Sequence, residues 1–277
     1  MTATPQSSAL SRSGSSRIVY LVFWLLGTVL LAIVVLPLLR LALQPSLAGL
    51  AAAIDDAEVR QALWLSVAGA FFAALFAALF GIPLAYVLAR SKFRGRGLIG
   101  AIVDLPLSVP HTVAGIALLM VFGRRGIIGE PADALLGLRF WATLAGIVVA
   151  MVFVSAPYTV NSARIGFQSV DPRLEMVART LGLGPWQVLW RVTLPLAWHG
   201  IATGLTLTFA RAISEFSAVV ILVYYPMTAP VKIYELFLRF GLDEASAAAV
   251  LLLALSLGLF VLFRHFAYGT TIAGAGR

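Results

Sequence analysis

Arg211 and Glu215 stand four residues apart inside an otherwise apolar stretch, TLTFARAISEFSAVVILV. On a helix that spacing puts both on one face, where the two charges can neutralise each other, although Arg before Glu is the weaker order. Charged groups at bilayer depth face the protein interior or a water-filled cavity. Their roles therefore stay open between a structural pair, a helix-interface contact, and a gate or path for an anion. Ser108, His111 and Thr112 form a second cluster beside Pro106 and Pro110. Their donors could line a path for a tetrahedral anion, or could satisfy backbone groups that the prolines release. Ser214, next to the charged pair, belongs to the same candidate pathway set.

Other chemistries are missing. The two lysines, Lys92 and Lys232, follow no glycine, so no phosphate-binding loop of the Walker type is present. His111, His199 and His265 are far apart and make no metal-binding pair, and no GxSxG nucleophile turn occurs. The chain has no cysteine, which removes disulfides and thiolate ligands. Nothing reads as a self-sufficient enzyme or calls for a metal or cofactor. Any active process must draw energy from a partner or an ion gradient.

The elements that position these residues follow from composition. Of 277 residues, 61% are hydrophobic and only 12% are charged, about half the charged share of a soluble domain. The net charge of +8 is spread in short clusters between apolar runs, not in the stripe or patch a nucleic-acid binder needs. An all-α polytopic membrane protein with six transmembrane helices is expected, each about 20 residues long. The spans are read as Tyr20–Leu39, a stretch within Gln61–Ala89, Leu98–Phe122, a stretch within Phe140–Ala163, Trp198–Val223 and Ala245–Phe263. Pro106 and Pro110 predict a bent or broken third span. Residues 1–17 read as a disordered tail, 18–268 as the membrane domain and 269–277 as a second tail. Arg90, Lys92, Arg94 and Arg96, with Arg164, Arg173, Arg179 and Arg191, fall on one side, so both termini are expected in the cytoplasm.

Residues 164–197, between the fourth and fifth spans, are too long and too periodic for a loop. Leu174, Val177, Ala178 and Leu181 recur at helical spacing. Asp171 suits the N-cap with Pro172 in the first turn, and Gly182 and Gly184 suit the end. Pro185 then opens a second short helix, Trp186–Val192, before Pro195. A cytoplasmic helix–turn–helix is expected.

The segment EMVARTLGLGPWQVLWRVTLPLA resembles the EAA loop of permease subunits of bacterial-type ABC importers. Aligned on Gly182, the match takes in Ala178, Val192, Leu194 and Pro195; Met176 and Val177 replace the usual Glu and Ala, and Glu175 comes one place early. DLPLSVPHTVAGIALL and ARAISEFSAVVILVYYPMTAPVKIYE are similar to the molybdate/tungstate branch, with sulfate permeases as neighbours. The resemblance implies a type I permease fold and a coupling helix that docks on an ATPase through Glu175, Met176, Ala178, Leu181, Gly182 and Pro195. It further implies a homodimer of permeases in the cell membrane's lipid bilayer, two ABC ATPase subunits and an extracytoplasmic oxyanion-binding protein. An ion-coupled secondary transporter using Arg211 and Glu215 is the alternative of a different class.

Overall fold

Long apolar runs become helices because hydrocarbon offers no partner to a backbone N–H or C=O, and a helix satisfies both within one segment. The computed structural model describes residues 11–272, and among them every regular element is helical. In chain order these are α1 (Ser11–Ala42), α2 (Leu47–Asp55), α3 (Ala57–Arg90), α4 (Arg96–Ser108), α5 (His111–Phe122) and α6 (Gly129–Leu136). There follow α7 (Leu144–Ser169), α8 (Pro172–Thr180), α9 (residues 185–213), α10 (Ser217–Leu222), α11 (Ala229–Phe240) and α12 (Leu242–Ile272). The tail expected over 1–17 is helical from Ser11, and α12 continues past the expected boundary at 268. Residues 1–10 and 273–277 lie outside the described residues.

Six spans were expected. Among the described residues four helices are long and apolar enough to cross a membrane: Val19–Ala42 within α1, α3, α7, and Leu242–His265 within α12. The pair α4 and α5, bent by 112° at Val109 and Pro110, makes a fifth if taken as one broken span. The expected fifth span, Trp198–Val223, is not one helix. Its first part, in α9, carries His199, Arg211 and three threonines, which lower its apolar character, and the helix ends at Ile213.

Small residues and hydroxyls hold the centre together, as membrane interiors require where apolar burial gives no preference for protein over lipid. Helices α7 and α9 come so close that a β-carbon on Gly200 would stand 2.6 Å from Gly166 Cα. The hydroxyls of Thr159 and Thr208 lie 2.6 Å apart, and Thr208 donates to the Ser155 carbonyl at 3.0 Å. Around this seam sit Met151, Val154, Phe209 and Ile213, all buried. Helix α1 stands apart: none of its membrane-spanning stretch is buried. Gln44, just beyond it, donates to Asp243 at 3.1 Å.

Two of the prolines that sit inside long helices without breaking them share one device. Each follows a π turn, Ala77–Gly81 before Pro83 and Leu189–Thr193 before Pro195. Proline lacks an N–H and its ring clashes with the carbonyl four residues earlier; widening the preceding turn relieves both, and the Leu194 N–H bonds back to Leu189. The expected separate helix Trp186–Val192 therefore runs straight on through Pro195 into α9.

On the side away from the expected coupling loop, Lys232 of α11 is buried and bonds Glu58 of α3 at 2.5 Å and Glu235 at 2.7 Å. Glu235 also accepts from Arg239 at 2.8 Å. Burial alone would lower the Lys232 ammonium, but the hydrogen bonds it donates to Glu235 and Glu58 hold it above its usual range. Hydrogen bonds from Lys232 and then Arg239 hold Glu235 below the usual carboxylate range. The raised lysine stabilises the fold below its ordinary value of 10.5, and that benefit is lost as pH rises through the folded value. The depressed glutamate stabilises it above 4.5, and that benefit is lost as pH falls through its folded value. Lys232→Met should therefore lower detergent thermostability at pH 7, and its deficit against wild type should shrink below about pH 4.5. A deficit independent of pH would show that the cluster's charge does not contribute.

A second expectation follows from the α7–α9 seam. Gly200→Val should cost about 1–3 kcal/mol by overpacking, whereas Gly258→Val on α12, with open space around it, should change thermostability little. Equal effects would contradict the close-approach reading.

Candidate functional site

Two interruptions of the membrane helices meet. The first lies between α4 and α5, where Pro110 caps α5 and His111 opens it. The second lies between α9 and α10, across Ser214, Glu215 and Phe216. Helix α5 packs directly on α10, and Gly115 allows it: a β-carbon there would stand 3.1 Å from Ala218 Cα and 3.0 Å from Ile221 Cβ.

The side chains at the two interruptions bind one another. Arg211 donates to Glu215 Oε2 at 2.6 Å and lies 2.8 Å from His111 Nε2. The same guanidinium nitrogen is 3.4 Å from His111 Nδ1, so it rests against the imidazole ring. His111 Nδ1 lies 3.9 Å from Glu215 Oε2. The second carboxylate oxygen of Glu215 accepts the Ala218 backbone N–H at 2.9 Å, one of the donors left open at the start of α10. Glu215 is 2% exposed, Arg211 23% and His111 40% by side chain. The expected pair on one continuous helix is thus a pair across a helix end. Its carboxylate does two tasks, balancing the guanidinium and capping the next helix.

Of the other pathway candidates, Ser214 is exposed and donates to the Arg211 and Ala210 carbonyls at 3.0 and 3.3 Å. Ser108 and Thr112 are exposed near the first break, and among the described residues no hydrogen bond joins either to the charged cluster. Asp104 of α4 accepts from Asn161 of α7 at 2.6 Å. A cleft of about 500 Å³, lined in part by Ser214, Phe216, Tyr234 and Ser246, opens beside the second break.

The coupling-loop candidates lie at the other end of α7 and α9. Asp171 caps α8 by accepting from the Arg173 N–H, and Pro172 fills the first turn. The helix closes on Gly182, whose φ of +87° is the left-handed conformation that favours glycine. There the Gly182 N–H bonds to the Arg179 carbonyl at 3.0 Å and the Leu183 N–H to the Ala178 carbonyl at 3.2 Å, which satisfies two of the open carbonyls. Met176, Leu181 and Pro195 are exposed, while Ala178 is buried. Glu175, expected at the docking surface, is buried instead and bound by Arg90 and Thr193. Neither Arg90, which the sequence uses only for topology, nor Thr193 is a site candidate there. Their only advance signal was a basic residue ending an apolar run and a threonine before Leu-Pro.

Residues 81–269 match the family described as binding-protein-dependent transport system inner membrane component. The chain is 43% identical over 244 residues to the molybdate/tungstate transport system permease protein of Thermococcus kodakarensis, covering 87% of this chain and 93% of that one. It is 37% identical over 206 residues to the molybdenum transport system permease protein of Escherichia coli K12, covering 73% and 90%. Among solved structures, a bacterial alginate ABC transporter, in complex with its alginate pentasaccharide-bound periplasmic protein, shares the fold with a TM-score of 0.75. At 19% identity it covers 94% of this chain and 97% of that one. The relatives, with the shared fold, define an ABC-transporter membrane permease. The chain belongs to the binding-protein-dependent transport system inner membrane component family.

The pair can be tested by stability. Arg211→Ala leaves a carboxylate unpaired at a buried site and should cost about 3–5 kcal/mol. Arg211→Met with Glu215→Gln removes both charges while the glutamine oxygen can still accept from Ala218, so the double variant should be more stable than Arg211→Ala. A double variant no better than the single, by detergent thermostability, would sink the pairing.

Proposed function

We propose that this chain is the permease subunit of an ATP-driven importer for molybdate- or tungstate-type oxyanions. It would form the translocation path and couple to a separate ATPase. The observation that carries the reading is α8: a capped, glycine-closed helix projecting between two long membrane helices, with Met176 and Leu181 exposed at its surface. No phosphate-binding loop exists in the chain to drive transport unaided. The substrate class rests on the molybdate and tungstate names of the relatives.

In this reading two copies of the chain enclose the path, two ATPase subunits bind beneath, and both termini are cytoplasmic. A separate binding protein delivers the oxyanion from outside. Met176, Leu181 and Gly182 contact the ATPase; Ala178 supports them from within. ATP binding draws the ATPases together, and the movement of α8 rocks the permease copies to open the path on alternate sides. The paired interruptions at His111 and Glu215 border the gate. A lone buried arginine would hold a dianion too firmly, whereas conduction requires binding weak enough for release. Arg211, with its charge balanced by Glu215, offers hydrogen-bond donors without that trap. Ser108, Thr112 and Ser214 would supply further hydroxyl donors along the path.

Gly182→Trp tests the docking surface. Nothing lies within 4 Å of a β-carbon at this position, so the fold should tolerate the bulk apart from about 1–2 kcal/mol of left-handed strain. The permease should still insert and keep its thermostability within that margin. The co-purified ATPase and ATP-dependent molybdate uptake should both be lost or sharply reduced. Unchanged co-purification and uptake would contradict docking at this turn.

A further inference from the structure

Glu175 is 6% exposed, although it belongs to the segment proposed to meet the ATPase. Its Oε1 accepts from Arg90 Nη2 at 2.7 Å and from Thr193 Oγ1 at 3.0 Å. Arg90 is the last residue of α3, and its Nη2 also donates to the carbonyl of Val170, which ends α7, at 3.0 Å. Thr193, fully buried, closes the π turn within α9. Arg179 Nη2 approaches the other carboxylate oxygen at 4.0 Å. One buried carboxylate thus gathers the inner ends of α3, α7 and α9 onto α8.

We infer that Arg90, Glu175 and Thr193 form a clamp that makes α8 move as one body with α3 and α9. Glu175 is thereby a positioning residue for coupling, not a contact for the ATPase. The inference rests on the proposed reading of α8 as the ATPase contact. The chain makes α8 easy to move alone: it is bounded by the bend at Val170–Asp171 and by the left-handed turn at Gly182. A helix joined only through those two turns could pivot and absorb a push. The clamp closes that freedom at the first turn, and does so at three membrane helices together. A carboxylate suits the place because the start of α8 carries positive partial charge, and charge-assisted bonds are stronger and shorter than neutral ones. The π turn that accommodates Pro195 also carries Thr193, so the same local widening belongs to the clamp.

A buried ion pair can also serve cohesion alone, and the variants separate the two roles. Replacing both charges with apolar side chains of similar size often restores or raises stability, but it cannot restore a directional tie. The experiment uses the permease co-purified with its ATPase, reconstituted in proteoliposomes with the binding protein, with molybdate as the transported probe. ATPase retention, ATP turnover and molybdate taken up per ATP are read together with thermostability. Glu175→Gln and Arg90→Met with Glu175→Met should both retain the ATPase and hydrolyse ATP. Uptake per ATP should fall about fivefold or more in each, while the double variant keeps wild-type thermostability. Wild-type uptake per ATP in either variant overturns the clamp. Failure of the wild-type chain itself to retain an ATPase, or ATP-independent uptake, overturns the parent reading, and the clamp with it.

Discussion

A polar group at membrane depth must find its partner within the protein, and this constraint orders the whole structure. Water is absent there, so an unpaired N–H, carbonyl or charge costs several kcal/mol. The chain nevertheless interrupts its helices between α4 and α5 and between α9 and α10, and it places an arginine and a glutamate at the second interruption. It meets the constraint by making the interruptions answer each other. Glu215 satisfies both the arginine and an open N–H of α10, and His111, from the other break, lies 2.8 Å from the same guanidinium. Away from the centre the same rule shows in Asp104 with Asn161 and in the hydroxyl pair of Thr159 and Thr208.

The same device recurs at the inner end of the bundle. Glu175, like Glu215, is a buried carboxylate just after a chain turn, bound by one arginine and one further donor. The two sites stand apart along α9, with Thr193 of the clamp in its first half and Arg211 near its end. A rigid α9, seated on α7 through Gly200 and Gly166, connects the place where an ATPase would push to the place where a path would open. Rigidity of that helix is what the small-residue seam supplies. Lipid-facing side chains elsewhere on α3, α4 and α12 need no such partners and are exposed.

Much of this was legible in the residues. Asp171, Pro172 and Gly182 mark the ends of α8 because capping chemistry is local, and Pro106 and Pro110 announce the bent third span for the same reason. The resemblance of the α8 segment to a coupling loop also carried the class of protein. What local reading could not give was set by partners distant in sequence. The break at Ser214 has no proline or glycine in RAISEFSAV to signal it, because the helix ends where Glu215 turns to cap α10. Pro195 looked like a helix stop, yet a π turn carries α9 through it. Glu175 was read as a surface residue because its partner Arg90 lies 85 positions away. The sequence leaves His111 between a path-lining donor and a partner for backbone groups freed by Pro110, yet its contact is an arginine 100 positions away.

The most direct test of the central claim is whether the two interruptions are energetically joined. His111→Ala, Arg211→Met and the combined variant form a double-mutant cycle, read as unfolding free energy of the purified permease in detergent. Residues in one hydrogen-bonded network show interaction energies of about 0.5–3 kcal/mol, and the 2.8 Å contact between His111 and Arg211 places this pair in such a network. A favourable coupling within that range is the expected result. Strict additivity of the two single changes would contradict it, since the breaks would then hold their shape independently of one another.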